Sequence, residues 1–195
     1  MNNRLYRNCL LLLLTVLLAG LTERMQAQTR NRQSVHTNSY DVPPAVPEML
    51  VFAGDTIRFD RADLRERMDR ELIAFSYMHT NSNLVIKRAN RLFPVVEPIL
   101  KEYGIPDDLK YLMVIESNLD PKSLSSAGAA GLWQFVQSTG REYGLEVNAN
   151  IDERYNTKKA TVAACKYLAE AYQKYGNWMT VAASYNGGQN GISRR

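Results

Sequence analysis

An all-α domain is what this sequence predicts, and three observations predict it. From Asp60 onward, apolar residues recur at three- and four-residue steps, as an amphipathic helix requires. Strand-like alternation is nearly absent. Short breaks carrying proline, glycine or asparagine separate the periodic stretches, and these residues start and stop helices. A chain of 195 residues with an ordinary apolar fraction has room for one domain of roughly 100 to 150 residues.

The first segment is read as lying outside the fold. Arg4 and Arg7 precede an apolar run from Cys9 to Leu21, and Met25-Gln26-Ala27 follows. This three-part layout is that of a secretory signal peptide covering residues 1–27, too short for a comfortable membrane span. No cysteine follows the run at a lipidation position, so export to the periplasm or cell envelope is expected without a lipid anchor. Cleavage at Ala27 removes three arginines and one glutamate, and the net charge falls from +4 to +2. Such mild basicity suits an anionic wall and most other surfaces. Cys165 then remains alone among Val162, Ala164 and Leu168, as a small buried hydrophobe.

Residues 28–59 read as an irregular arm, polar at first and then rich in proline, with an extended piece or a turn near Gly54-Asp55. The helical domain begins at residue 60. Leu64, Met68, Leu72 and Phe75 mark the first helix, and Asn81 to Asn83 breaks the pattern. A second helix is expected over Leu84 to Phe93, and a third from Pro94 to Tyr103, stopped by Gly104. Pro106-Asp107-Asp108 opens a fourth, since proline and acids suit a first turn. Leu109, Leu112, Met113 and Ile115 form its buried side, and Asp120-Pro121 ends it. Ser123 to Gly131 is a loop of small residues. Leu132 to about Tyr143 reads as a helix closed by Gly144, and Asn148 to Tyr155 as irregular. Thr157 caps a long helix that runs to Tyr175, with Gly176 as its stop. Asn177 caps a last one through Trp178, Val181, Ala182 and Tyr185, ending at Asn186-Gly187-Gly188.

Several chemistries are poorly supported. The two histidines, His36 and His79, give a zinc site or a Ser-His-Asp triad almost nothing to stand on. Phosphate and dinucleotide fingerprints are missing, so no cofactor and no metal is expected. Arg65, Arg67 and Arg70 alternate with acids as on a solvated helix face, which argues against nucleic-acid binding.

A carboxylate remains. Glu116 follows Met113-Val114-Ile115 near the end of an apolar helix. Burial beside hydrocarbon disfavours the charged form and raises a carboxyl pKa, as a general acid working near neutrality requires. On spacing alone, a solvated helix-end residue is the commoner reading. Gln134, Ser184, Tyr185 and Asn186 add local polar density, and each has a turn or core explanation as well. Trp133 and Trp178 fit a sugar groove or a structural role.

Three ordered motifs alter these weights: Ile115-Glu116-Ser117, Ser126-Ala127-Gly128-Ala129-Ala130-Gly131-Leu132-Trp133-Gln134-Phe135, and Ala183-Ser184-Tyr185-Asn186-Gly187-Gly188. Together they resemble the catalytic domain of the soluble and membrane-bound lytic murein transglycosylases, especially the type D branch. The resemblance implies an all-α, lysozyme-like fold of the goose-type lysozyme and lytic transglycosylase class. It implies Glu116 as the single catalytic acid and base, Ser117 as an orienting serine, and Gln134 on the groove wall. Tyr185 would hold the glutamate through its hydroxyl, and Asn186 would face the sugar. The implied partner is the glycan strand of peptidoglycan, cut between N-acetylmuramic acid and N-acetylglucosamine to leave a 1,6-anhydro ring, with possible peripheral contact with the cell envelope. A muramidase-type hydrolase and a noncatalytic glycan-binding or scaffold protein are the alternatives. Asp120, four residues past Glu116, reads as a turn residue rather than a second carboxylate. The resemblance implies a domain over residues 60–195 with its catalytic core from about residue 90. The resembling domains continue through further helices beyond the Tyr-Asn motif, so a catalytic domain without its C-terminal part is expected.

Overall fold

The computed structural model describes residues 43–185. The signal-peptide reading and Asn186 lie outside them. Two compact units emerge, the first ending at Leu84 and the second beginning at Val85.

In the first unit, β1 (Met49–Phe52) and β2 (Asp55–Arg58) form an antiparallel hairpin that pairs Leu50 with Ile57 and Phe52 with Asp55. The arm over 28–59 is therefore not irregular throughout. Its turn uses Ala53 and Gly54 at φ +50° and +90°, the left-handed pair that a two-residue hairpin favours. Met49 and Val51 point outward, each 55% exposed, while Phe59, Met68 and Leu72 form a buried cluster. Leu50, Ile57, Leu64 and Phe75 pack against it. The helical residues of that cluster stand on α1 (Ala62–Tyr77) at the spacing read from the sequence.

Helix α2 (His79–Glu102) is continuous. The expected break at Asn81–Asn83 and the expected start at Pro94 are both overridden. Asparagine costs a helix only about 0.7 kcal/mol. Pro94 and Pro98 remove backbone donors inside the helix. Even so, Val85, Leu92, Val96 and Leu100 form one buried stripe across them, and tertiary packing outweighs the local penalty. Gly104, at φ +67°, closes the helix, and the Ile105 N–H donates to Leu100 O at 2.9 Å.

The expected helix from Pro106 is two pieces, a 3₁₀ segment at Asp107–Tyr111 and α3 (Leu112–Ser117). Pro121 does not end α3. Asn118 and Leu119 turn left-handed at φ +50° and +56°, and the Asn118 N–H donates to Val114 O at 2.9 Å. The buried Lys110 ammonium lies 4.9 Å from the centre of the Phe93 ring and donates to Glu97 and Asp107, tying the 3₁₀ segment to α2.

Helix α4 is only Gln137–Glu142, so Leu132 to Val136 are not helical as expected. Ala130 instead bridges to both Leu124 and Phe135. A short 3₁₀ segment, Glu153–Tyr155, precedes α5 (Thr157–Tyr175), whose bounds match the sequence reading. Its cap is Asn156, whose side chain accepts from Lys159 N, rather than Thr157. Ala160, Ala164, Leu168 and Ala171 give α5 a buried stripe, and buried Cys165 has its thiol pushed up to about 12 by burial. Asn177 caps α6 (Trp178–Tyr185), accepting from Thr180 N at 2.9 Å.

Candidate active site

The site lies within the second unit and is built on the end of α3. Leu112 and Met113 are fully buried, and they carry Glu116 down with them. Its Oε1 is buried and meets no hydrogen-bond donor among the described residues. Burial raises its pKa to about 7, with no neighbouring charge contributing. A carboxyl in this condition is neutral below that pH and can hold a proton for transfer.

Ser117 is buried, and its hydroxyl lies 2.9 Å from Met113 O and 3.0 Å from Leu132 O. One hydroxyl proton serves both carbonyls. The serine therefore fastens the glycine-rich loop to the end of α3.

Gln134 sits on a turn at φ +50° rather than one turn into a helix. Its Nε2 donates to Gly131 O at 2.9 Å and Ser123 O at 3.3 Å, and both bonds lock the side chain to its own loop. Asparagine and aspartate are the side chains that usually tolerate this backbone region, so a glutamine there is a feature of the loop.

Tyr185, at the end of α6, donates its hydroxyl to Trp133 O at 2.9 Å. The resemblance puts this hydroxyl on the glutamate, and in the structure its single proton goes to the loop instead. The tyrosine still lies within electrostatic reach of Glu116. Its pKa is raised well above the usual value, first by burial and then by the Glu116 charge. Tyr167 feels the same carboxylate more weakly than its own burial. The rings of Tyr185 and Tyr167 meet edge to face at 5.3 Å, as do those of Tyr167 and Tyr143.

Trp133 is fully buried, its indole N–H donating to Thr161 Oγ1 at 3.0 Å, which makes it structural rather than a groove surface. Trp178 stacks on Tyr172 at 4.1 Å. Asp120 is occupied elsewhere, accepting from Arg88 Nη2 and Lys122 N at 3.0 Å each. It is a turn and ion-pair residue, as its place before Pro121 suggested. Among the described residues, no cluster of His, Cys, Asp and Glu converges as a metal site would need.

Sequence reasoning missed Arg154. It lies in the stretch read as irregular, yet it is 3% exposed and ion-paired with Asp152 at 2.7 Å. The guanidinium holds the Asp152 carboxyl below its usual range. Its Nη1 donates to Gly128 O at 2.7 Å and Phe135 O at 2.9 Å. An acid two residues before an arginine was the only local signal, and it said nothing of burial.

Residues 96–195 match the family described as Transglycosylase SLT domain. Among curated proteins, the chain is similar to membrane-bound lytic murein transglycosylase D of Escherichia coli (strain K12), 30% identical over 75% of this chain and 32% of the relative. It is also similar to membrane-bound lytic murein transglycosylase C of Photorhabdus laumondii, 28% identical over 57% of this chain and 35% of that protein. The corresponding protein of Yersinia pestis (strain Pestoides F) is 27% identical over 63% and 38%. The match thus spans about a third of the length of these relatives.

Proposed function

Because this chain belongs to the transglycosylase SLT domain family, we propose that it cleaves the β-1,4 bond between N-acetylmuramic acid and N-acetylglucosamine in peptidoglycan, leaving 1,6-anhydromuramoyl ends. The observation that carries this reading is the Glu116 carboxyl, with one oxygen buried and unpartnered and a pKa raised to about 7. Protonated Glu116 gives its proton to the oxygen that leaves with N-acetylglucosamine. The substrate's own N-acetyl group stabilises the positive centre that develops. Ionised Glu116 then takes the proton of the muramoyl 6-hydroxyl, whose oxygen closes on the anomeric carbon. The proton account balances, and the enzyme returns to its starting form without water. A nucleophile already attached to the substrate has a high effective concentration. The second carboxylate of an ordinary glycosidase is then unnecessary, which accords with Asp120 being bound to Arg88.

Ser117, Gln134 and Tyr185 hold the glycine-rich loop as the groove wall in this reading, and Asn186 faces the sugar. The cell envelope is the proposed place of action, reached through the leader read in residues 1–27. Among the described residues no helix is long and apolar enough to cross a membrane.

Purified peptidoglycan incubated with the protein should release anhydromuropeptides identified by mass. Glu116→Gln keeps the shape and removes the titrating group. It should lower release by at least about 10²- to 10⁴-fold, the usual worth of a positioned acid and base. Products carrying an added water would point to a hydrolase. Binding with no products from the unaltered protein would point to a glycan-binding scaffold.

A further inference from the structure

The glycine-rich loop is closed from behind by one buried side chain. Arg154 Nη1 accepts no substitute easily, since it reaches Gly128 O and Phe135 O together, at 2.7 and 2.9 Å. The other edge of the guanidinium is spent on Asp152, with Nε on Oδ1 at 2.9 Å and Nη2 on Oδ2 at 2.7 Å. A planar fork can serve all these acceptors at once, and a lysine ammonium of the same charge cannot. The Arg154 backbone is equally close. A Cβ added at Gly131 would stand 2.0 Å from Arg154 O, and one at Gly140 would stand 3.3 Å from the arginine stem. Between Gly128 and Phe135, the loop is also fixed by Ser117 at Leu132 O and by Tyr185 at Trp133 O. These two anchors come from the helix bearing Glu116 and from the tyrosine that feels its charge.

We propose that Arg154 is a positioning residue of this site, joining the two ends of the loop from Gly128 to Phe135 so that Leu132 is held against the end of the Glu116 helix and Trp133 against Tyr185. It does so from behind the loop, through the carbonyls, and touches no reacting atom. Its effect on turnover rests on the glycan-cleaving reading of Glu116. Its hold on the loop does not.

The test uses the full chain and two independent readouts. Arg154→Lys is compared with Leu168→Ala, a cavity in the buried stripe of α5 that should lower thermal stability without loosening the loop. On soluble glycan strands, Arg154→Lys should lower kcat about 10- to 100-fold with a smaller change in KM, as displaced reacting geometry does. Hydrogen exchange should speed up in residues 128–135 beyond any change in α5. Leu168→Ala should keep kcat near that of the unaltered protein. If Arg154→Lys fails to fold, Asp152→Asn is measured instead. It removes the ion-pair partner of the guanidinium and should show a smaller loss of the same kind. Unchanged exchange and unchanged kcat in the folded variant overturn the proposal. So does a kcat loss that Leu168→Ala shares. If the unaltered protein releases no anhydromuropeptides, the cleavage reading fails. Exchange over residues 128–135 then decides the loop bracket alone, and unaltered protection there overturns it.

Discussion

Ser117, Gln134, Arg154 and Tyr185 all end on backbone carbonyls of the glycine-rich loop or its start. Glu116, at the end of the neighbouring helix, keeps a buried oxygen that meets no donor among the described residues. The two regions obey opposite rules within one site. On the loop side, buried polar groups are satisfied, which is the ordinary condition of a stable interior. On the helix side a polar atom is left unsatisfied at a cost to stability, and such atoms gather where chemistry is done. The loop supplies rigidity, and in the proposed reading the helix supplies the reactive group.

The contrast is broken most severely at Gly131. Its φ of +76° and the 2.0 Å approach of Arg154 O leave no space for a side chain. The backbone must shift, because the clashing atom is itself backbone. Gly131→Ala should destabilise the protein by about 3–5 kcal/mol, within the tail reserved for steric and backbone failures. Denaturant melts would measure this, and a loss below about 1 kcal/mol would mean that the loop is far less tightly held than the 2.0 Å approach requires.

The other side is broken in the opposite direction. Burial raises the Glu116 pKa from 4.5 to about 7. Between those values the folded protein keeps a proton that the unfolded chain has lost. Folding then binds protons, so stability falls as pH rises across that window and stays reduced above it. Glu116→Gln abolishes this penalty. The variant should be more stable than the parent at pH 8 by on the order of 2 kcal/mol, the shift being discounted for partial exposure. Near pH 4 the advantage should vanish. Thermal melts at the two pH values measure it. A gain of the same size at both would show that the carboxyl's charge is not its cause.

These two residues also show what was legible. Glu116 was a candidate because its apolar flanks lie in adjacent sequence, yet spacing alone favoured a solvated helix end, and the three ordered motifs were needed to raise it. The bounds of α5 were readable from adjacent sequence, through a clean apolar period and Gly176, which the structure places at φ +67°. What escaped was decided by distant partners. Pro94 read as a boundary, and only the buried stripe of α2 keeps the helix running through it and through Pro98. Leu132 to Val136 carry a helical pattern, yet the bridge from Ala130 to Phe135 and the bonds from Arg154 claim their backbone instead. Arg154 lies 26 residues from the Gly128 carbonyl it holds, and no local spacing foretells that meeting.

Tyr185 is the sharpest test because two roles compete for one hydroxyl. As found, it belongs to the loop side, donating to the carbonyl of fully buried Trp133. Tyr185→Phe keeps the ring contacts with Trp133 and Tyr167 and removes that bond alone. Leaving a buried acceptor unmet should cost about 1–2 kcal/mol. Turnover should fall more than glycan affinity does, because the loop loses one of its anchors. In the proposed mechanism activity should decline with rising pH as Glu116 ionises, and that decline should stay centred near the value of about 7 set by burial. A hydroxyl that held the carboxyl would behave differently, since its removal would change the environment of the titrating group and move the decline. A displaced pH profile with undiminished stability would therefore return Tyr185 to the carboxylate side of the site.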